Sequence, residues 1–257
     1  QDSYIRFFEA NETSTSAIWE SDFNRITRSY GHQGNFVADI DFDDKNALNI
    51  TANIFVSPNK EYKNHQNTVI LNAQRQLDST FYTKSLMDTD VTNIALGTDY
   101  KTKINEHGGA LTIGGNYITY TSDQAQELKS DYFFPNGDFI KSIQFETNAT
   151  QDTKIATGYL DLSIGLFEGT LETGLKYSNI DTNTGLDYFN LVNGNMVLNP
   201  ALSDKFTYEE SIFAGYFSFD KGFEKWNISF GTRAEYTDVK GISVSLGSLN
   251  TQEYFKL

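Results

Sequence analysis

The chain has 257 residues, and 34 acidic against 20 basic side chains leave it with a net charge of −14. That balance opposes nonspecific contact with nucleic acid, and the absence of cysteine excludes disulfide scaffolds, thiolate metal centres and cysteine nucleophiles. Mean hydropathy is −0.45, and no apolar run approaches the ~20 residues a membrane helix needs, which rules out a helical membrane protein but leaves a β-barrel open.

Tyr4 to Phe8 and Ile18 to Ile26 read as two opening strands. From Asn35 to Asp43, Phe36, Ala38, Ile40 and Phe42 share one face, while Asp39, Asp41 and Asp43 share the other with Val37. After the turn Asp43-Asp44-Lys45, Leu48, Ile50, Ala52, Ile54 and Val56 alternate with Asn49, Thr51 and Asn53. This period of two predicts a hairpin of strands about as long as the ~9–11 residues of a tilted membrane strand.

A second hairpin is predicted from Val91 to Ser122 around Asn105-Glu106-His107-Gly108. Its apolar set of Ile94, Leu96, Tyr100, Leu111, Ile113 and Tyr117 opposes Asn93, Asp99, Lys101, Thr112, Gly114 and Asn116. The third, from Asp152 to Ser178, turns at Leu166-Phe167-Glu168-Gly169 and sets Ala156, Leu160, Leu162, Leu171 and Leu175 against Thr157, Asp161, Ser163, Glu172 and Lys176. The fourth runs from Thr207 to Asp238 around Asp220-Lys221-Gly222-Phe223-Glu224. Its second strand opposes Trp226, Ile228, Phe230, Ala234 and Tyr236 to Asn227, Ser229, Gly231, Arg233 and Glu235. Thr207 to Phe219 is apolar on both faces toward its end, which leaves its orientation open.

Between these hairpins lie polar stretches, roughly 57–90, 123–150 and 179–206 with another from about 239, which read as long loops. The three prolines, Pro58, Pro135 and Pro200, all fall there, as a chain of central strands requires. Short turns at one end and long connections at the other are the habit of outer-membrane barrels. The expected fold is therefore all-β: an antiparallel up-and-down meander, a partial transmembrane β-barrel with about ten strands of a larger one. Charged residues opposite the apolar face imply a wide lumen and more strands than these, and open edges are not tolerated in hydrocarbon. Gln1-Asp2-Ser3-Tyr4 carries no signal peptide, and Tyr254-Phe255-Lys256-Leu257 looks like a strand just begun. Residues 1–257 are expected to form one partial barrel domain of a longer protein.

No motif points to catalysis, a cofactor or a metal. Asp39-x-Asp41-x-Asp43 imitates an EF-hand start, but Asp44 stands where Gly is needed and Ile50 where Glu is needed. His32, His65 and His107 are widely separated and read as solvated loop residues. Gly108-Gly109 and Gly114-Gly115 belong to no phosphate-loop pattern. No GxSxG occurs, and 34 carboxylates make any glycosidase pair arbitrary. The sequons at Asn11, Asn49, Asn148 and Asn227 are read as chance, two of them lying in predicted strands.

From Glu168 the pattern becomes specific. Leu171-Glu172-Thr173-Gly174-Leu175-Lys176-Tyr177-Ser178, then Phe206-Thr207-Tyr208-Glu209-Glu210-Ser211-Ile212-Phe213-Ala214-Gly215-Tyr216, then Lys225-Trp226 through Gly231-Thr232-Arg233-Ala234-Glu235-Tyr236-Thr237 resemble, in order, strands of the Bacteroidetes outer-membrane β-barrel family, a branch of the TonB-dependent receptors. The resemblance implies a non-enzymatic receptor in the Gram-negative outer membrane that imports a scarce nutrient, whether siderophore, glycan or peptide, through a barrel of about 22 strands around a plug. By the same resemblance residues 1–257 are a partial barrel domain, with the plug domain and the C-terminal barrel half absent. Its implied partners are outer-membrane lipid, its own plug, TonB through an N-terminal region, an unknown small ligand and, as a further candidate, a SusD-like lipoprotein. In the barrel reading Glu172, Lys176, Arg233 and Glu235 point into the lumen, where they would hold the plug by charge-assisted hydrogen bonds; the plainer alternative is ordinary ion pairs on a polar wall. Two other classes compete: a soluble secreted β-sheet module gripping glycan, and a plugless outer-membrane channel.

Overall fold

A computed structural model describes residues 2–8, 15–105 and 108–257. His107, Asn11 and part of the turn at 105–108 lie outside the described residues. Twelve strands are described, with no helix among them: β1 (Asp2–Phe8), β2 (Thr15–Arg28), β3 (His32–Asp41), β4 (Asn46–Asn72), β5 (Leu77–Lys103), β6 (Ala110–Phe133), β7 (Phe139–Leu166), β8 (Gly169–Val192), β9 (Asn195–Leu198), β10 (Asp204–Gly222), β11 (Asn227–Ser243) and β12 (Ser248–Lys256). They form one open antiparallel sheet, ordered β1-β2-β4-β5-β6-β7-β8-β10-β11-β12. β3 joins β4 in the same lane as β2, because β2 pairs with residues 61–72 and β3 with residues 47–56 of that strand. The strands expected at Ile18–Ile26 and Asn35–Asp43 are thus two halves of one interrupted lane.

The predicted hairpins are present, and their face assignments hold across the sheet. The long loops are not. Residues 57–90, 123–150 and 179–206 mostly continue the ladders, so β4 and β5 each run for 27 residues and β7 for 28. At the usual rise a 28-residue strand is roughly 95 Å long, far more than the ~9–11 residues a bilayer requires. Tight turns close the far ends as well as the near ones. Asn193 and Gly194 both take positive φ and join β8 to β9, the geometry an Asn-Gly pair favours in a hairpin.

The polar stretches hid strands for a physical reason. Above the apolar segments both faces become polar, so the hydropathy alternation fades. The Thr, Tyr, Phe and Ile content still favours a pleated chain, and the ladder below supplies the register.

Pro58 also departs from the expectation, since it lies inside β4 and not in a loop. It occupies a bulge where Pro58 and Asn59 together oppose Asp90, between the pairs Ser57↔Val91 and Lys60↔Thr89. Asn59 has φ 52° and donates its backbone N–H to Asp90 Oδ1 at 2.6 Å. Bulges are among the few strand positions that accept proline.

Candidate functional site

Cross-strand register sorts every side chain onto one of two faces, since successive residues alternate and directly opposed residues share a face. The front face carries rows such as Asp99–Gly114–Tyr159–Lys176–Ala214–Glu235 and Lys101–Thr112–Asp161–Gly174–Tyr216–Arg233. The back face carries Ile50, Leu96, Ile113, Leu160, Leu175 and Phe230 in the same segments. Phe213 and Phe217 lie on the back, and Ile212, Ala214 and Tyr216 on the front, which settles the orientation of β10.

The back face divides sharply. Its apolar segments, 48–56 in β4, 156–164 in β7 and 228–236 in β11, each have the length of a membrane strand. Phe213 and Leu175 are each 57% exposed there, and Phe230 is 56% exposed. Such a band is not sustainable in water and fits hydrocarbon. Tyr177, Phe213, Tyr236 and Phe255 form one row along it, an arrangement like the aromatic girdles of membrane barrels. Beyond the band the back face turns charged, beginning with Asp90, Asp123, Lys154, Asp181, Glu209 and Asp238.

All four residues singled out by sequence lie on the front face at the height of the apolar band. Glu172 and Lys176 are on β8, Arg233 and Glu235 on β11, with β10 between them. Arg233 Nε donates to Glu235 Oε1 at 2.6 Å along its own strand. Lys176 and Glu235 occupy the same row, separated by Ala214, which is 2% exposed. Among the described residues neither Glu172 nor Lys176 closes an ion pair. The structure therefore brings the four onto one charged wall and pairs only two of them.

A more specific arrangement surrounds them and escaped the sequence. The Tyr159 ring lies over Gly114 and its hydroxyl donates to the Asp99 carboxylate. Two strands on, the Tyr216 ring lies over Gly174 and its hydroxyl donates to Asp161 Oδ1 at 2.8 Å. Each clasp spans three adjacent strands: acid, glycine, tyrosine. The glycine leaves a groove for the ring, a way of covering glycine in a sheet, and the charge-assisted hydrogen bond fixes the far end. Only the pairing register reveals these triplets, because their members are 13 to 60 positions apart.

The turns are fixed by carboxylates. Asp43 accepts from the backbone N–H groups of Lys45 and Asn46 and from the Asn46 side chain at 2.8–2.9 Å. The Asn46 side chain first, then the Lys45 amide, hold its pKa below the ordinary 3.8. At the opposite end Asp204 accepts from the Ser245 amide at 2.9 Å and the Ser243 hydroxyl at 2.8 Å, which depress its pKa likewise.

An antiparallel sheet with a lipid-compatible band on one face and a charged wall on the other is the wall of a transmembrane β-barrel. Residues 102–257 match the outer membrane protein beta-barrel family, and the chain belongs to that family; it is a protein of the outer membrane. No curated protein matches the sequence. Among solved structures the chain is similar to the ferric citrate transporter FecA in its unliganded form, at 10% identity and a TM-score of 0.36, covering 91% of this chain and 41% of that one. The chain thus spans about two-fifths of the length of that structure.

Proposed function

We propose that the chain is part of a TonB-dependent outer-membrane receptor of the Bacteroidetes kind, which imports a nutrient through a plugged barrel. The observation that carries this reading is the charged front wall at membrane height. Asp99, Asp161, Glu172, Lys176 and Arg233 sit opposite lipid-facing residues, so the lumen must hold water or a polar occupant. The ordered motifs of 168–237, and a Glu172 and Lys176 that close no ion pair among the described residues, favour a plug as that occupant, with TonB acting on it from the periplasm. A SusD-like cap on the outer rim is compatible with this reading.

Uptake by cells carrying the full-length protein tests it. Accumulation of the nutrient that supports growth is expected to stop when TonB is deleted or the proton gradient collapsed. Uptake indifferent to both, with steady ion conductance of the purified protein in a planar bilayer, would replace the receptor by a plugless channel.

A further inference from the structure

Acidic side chains change faces halfway up the sheet. At membrane height the front face carries Asp39, Asp99, Asp161, Glu172 and Glu235. Above it, from β2 through β7, the described front face carries no Asp or Glu at all, although the chain has 34. Glu20, Asp22, Glu61, Asp88, Asp131 and Glu146 all lie on the back.

Most cations follow the same division; Lys84 on the back face is an exception, lying 5.4 Å from the Tyr82 centroid with no ion pair among the described residues. On the back face Arg28, Lys63, Lys129, Lys154 and Lys240 each pair with a carboxylate. On the upper front face Arg25, Lys60 and Lys141 have no carboxylate partner among the described residues and lie against rings instead. Arg25 Cζ is 5.3 Å from the Phe23 centroid and 5.7 Å from that of Tyr62, Lys60 Nζ is 5.2 Å from Tyr62, and Lys141 Nζ is 5.1 Å from Tyr132. Trp19, Phe81 and Tyr132 continue this aromatic surface with centroids 5.4 and 5.0 Å apart. Between the rings the hydroxyls are already paired, as in Ser21–Thr68 at 2.7 Å and Thr83–Ser130 at 2.6 Å. Asp204 and Glu210 on β10 mark where acids return.

We propose that this upper front wall binds an organic anion with a flat face, the rings taking the flat face and Arg25, Lys60 and Lys141 its negative groups. The inference rests on the outer-membrane receptor reading, in which the front face lines the mouth of the barrel. Charge complementarity selects the ligand: on a strongly acidic chain this surface carries cations and, among the described residues, no carboxylate, so it attracts an anion locally and offers no counter-charge to a cation. Rings beneath the cations hold them without neutralising them.

The probe is 8-hydroxypyrene-1,3,6-trisulfonate, a flat trianion, added to the full-length protein in nonionic detergent and followed by fluorescence anisotropy. Saturable, salt-sensitive binding is expected, weakened about tenfold or more by each of Arg25→Gln and Lys141→Gln, as loss of a charge-assisted contact dictates. Lys129→Gln on the back face removes the same charge and is expected to leave binding unchanged. Heat-modifiable gel migration checks that each variant is folded. Absence of binding, or equal weakening by Lys129→Gln, overturns the inference; the first means that another part of the protein covers the wall, the second that only net charge is sensed. A protein that fractionates to the outer membrane and takes up its nutrient under TonB control, yet fails to bind the probe, loses this inference alone. One that is absent from the outer membrane loses the receptor reading first.

Discussion

Gly114 and Gly174 have no side chain because a tyrosine ring from the next strand occupies the space. At Gly174 an added Cβ would also sit 2.9 Å from the Leu160 carbonyl oxygen, so Gly174→Ala must displace either the Tyr216 ring or the backbone. A loss of about 1–3 kcal/mol is expected, typical of overpacking, read as a lower temperature for the loss of heat-modifiable migration. Tyr216→Phe keeps the ring and removes only the bond to Asp161; about 1.5–3 kcal/mol is expected for a hydrogen bond to a charged acceptor. Asp161→Asn in the Tyr216→Phe background is then expected to add little, because the two substitutions break one interaction. Asp43 gives a pH-dependent counterpart at the near-end turn. Its folded pKa is depressed, so its contribution is fully present above the ordinary value and is lost as pH falls through the lower folded one. Hydrogen exchange is expected to show the Lys45 and Asn46 amides protected at about pH 7 and deprotected by Asp43→Ala, with the difference vanishing in strong acid.

At the scale of the strand, the apolar segments were legible because period-two alternation is clearest where one face meets lipid and the other does not. That is why the faces of β4 to β8 and of β11 follow from sequence. The upper halves were not legible, since Lys, Asp and Glu there alternate with Ser, Thr, Gln and aromatic residues instead of with aliphatic ones. Asn136-Gly137 and Asn193-Gly194 were the local signals of tight far-end turns, and both lay inside stretches read as loop. The clasps were illegible for a different reason: nothing local links Asp99 to Tyr159. Among the devices of single strands, the β4 bulge is the easiest to test. Asp90→Ala removes the acceptor of the Asn59 amide, and a loss of about 1 kcal/mol is expected, the usual worth of such a bond. Faster hydrogen exchange at Asn59 and Lys60, with the band below unaffected, would check it.

Across the whole molecule, the polarity reversal on the back face predicts where charge is tolerated. Leu96 lies mid-band between Ala52 and Tyr117, whereas Asp88 lies above the band opposite Glu61. Leu96→Arg is expected to cost about 2–4 kcal/mol, as charge at the midplane of a barrel does, and to deplete the protein from the outer membrane. Asp88→Arg is expected to assemble normally, since it replaces a like-charge pair with an attractive one. Immunoblots of fractionated membranes for the two variants check both outcomes. The front-face residues Glu172, Lys176, Arg233 and Glu235 were found in sequence because their alternation with leucine, phenylalanine and tyrosine is regular. The ring-lined wall above them was missed because its order exists only across strands.

The bulge at Pro58 and Asn59 sets the phase of everything above it. Below, odd-numbered residues of β4 face front; above, even-numbered residues do. Deleting one bulge residue would leave the lipid-facing stripe in place and rotate the upper strand by half a period. Tyr62, Gln66 and Thr68 would then exchange faces with Glu61, Lys63 and His65. The two halves of the strand are therefore separately addressable by insertion or deletion. The membrane anchor can stay fixed in evolution while the chemistry shown above it is turned inside out by a change of one residue.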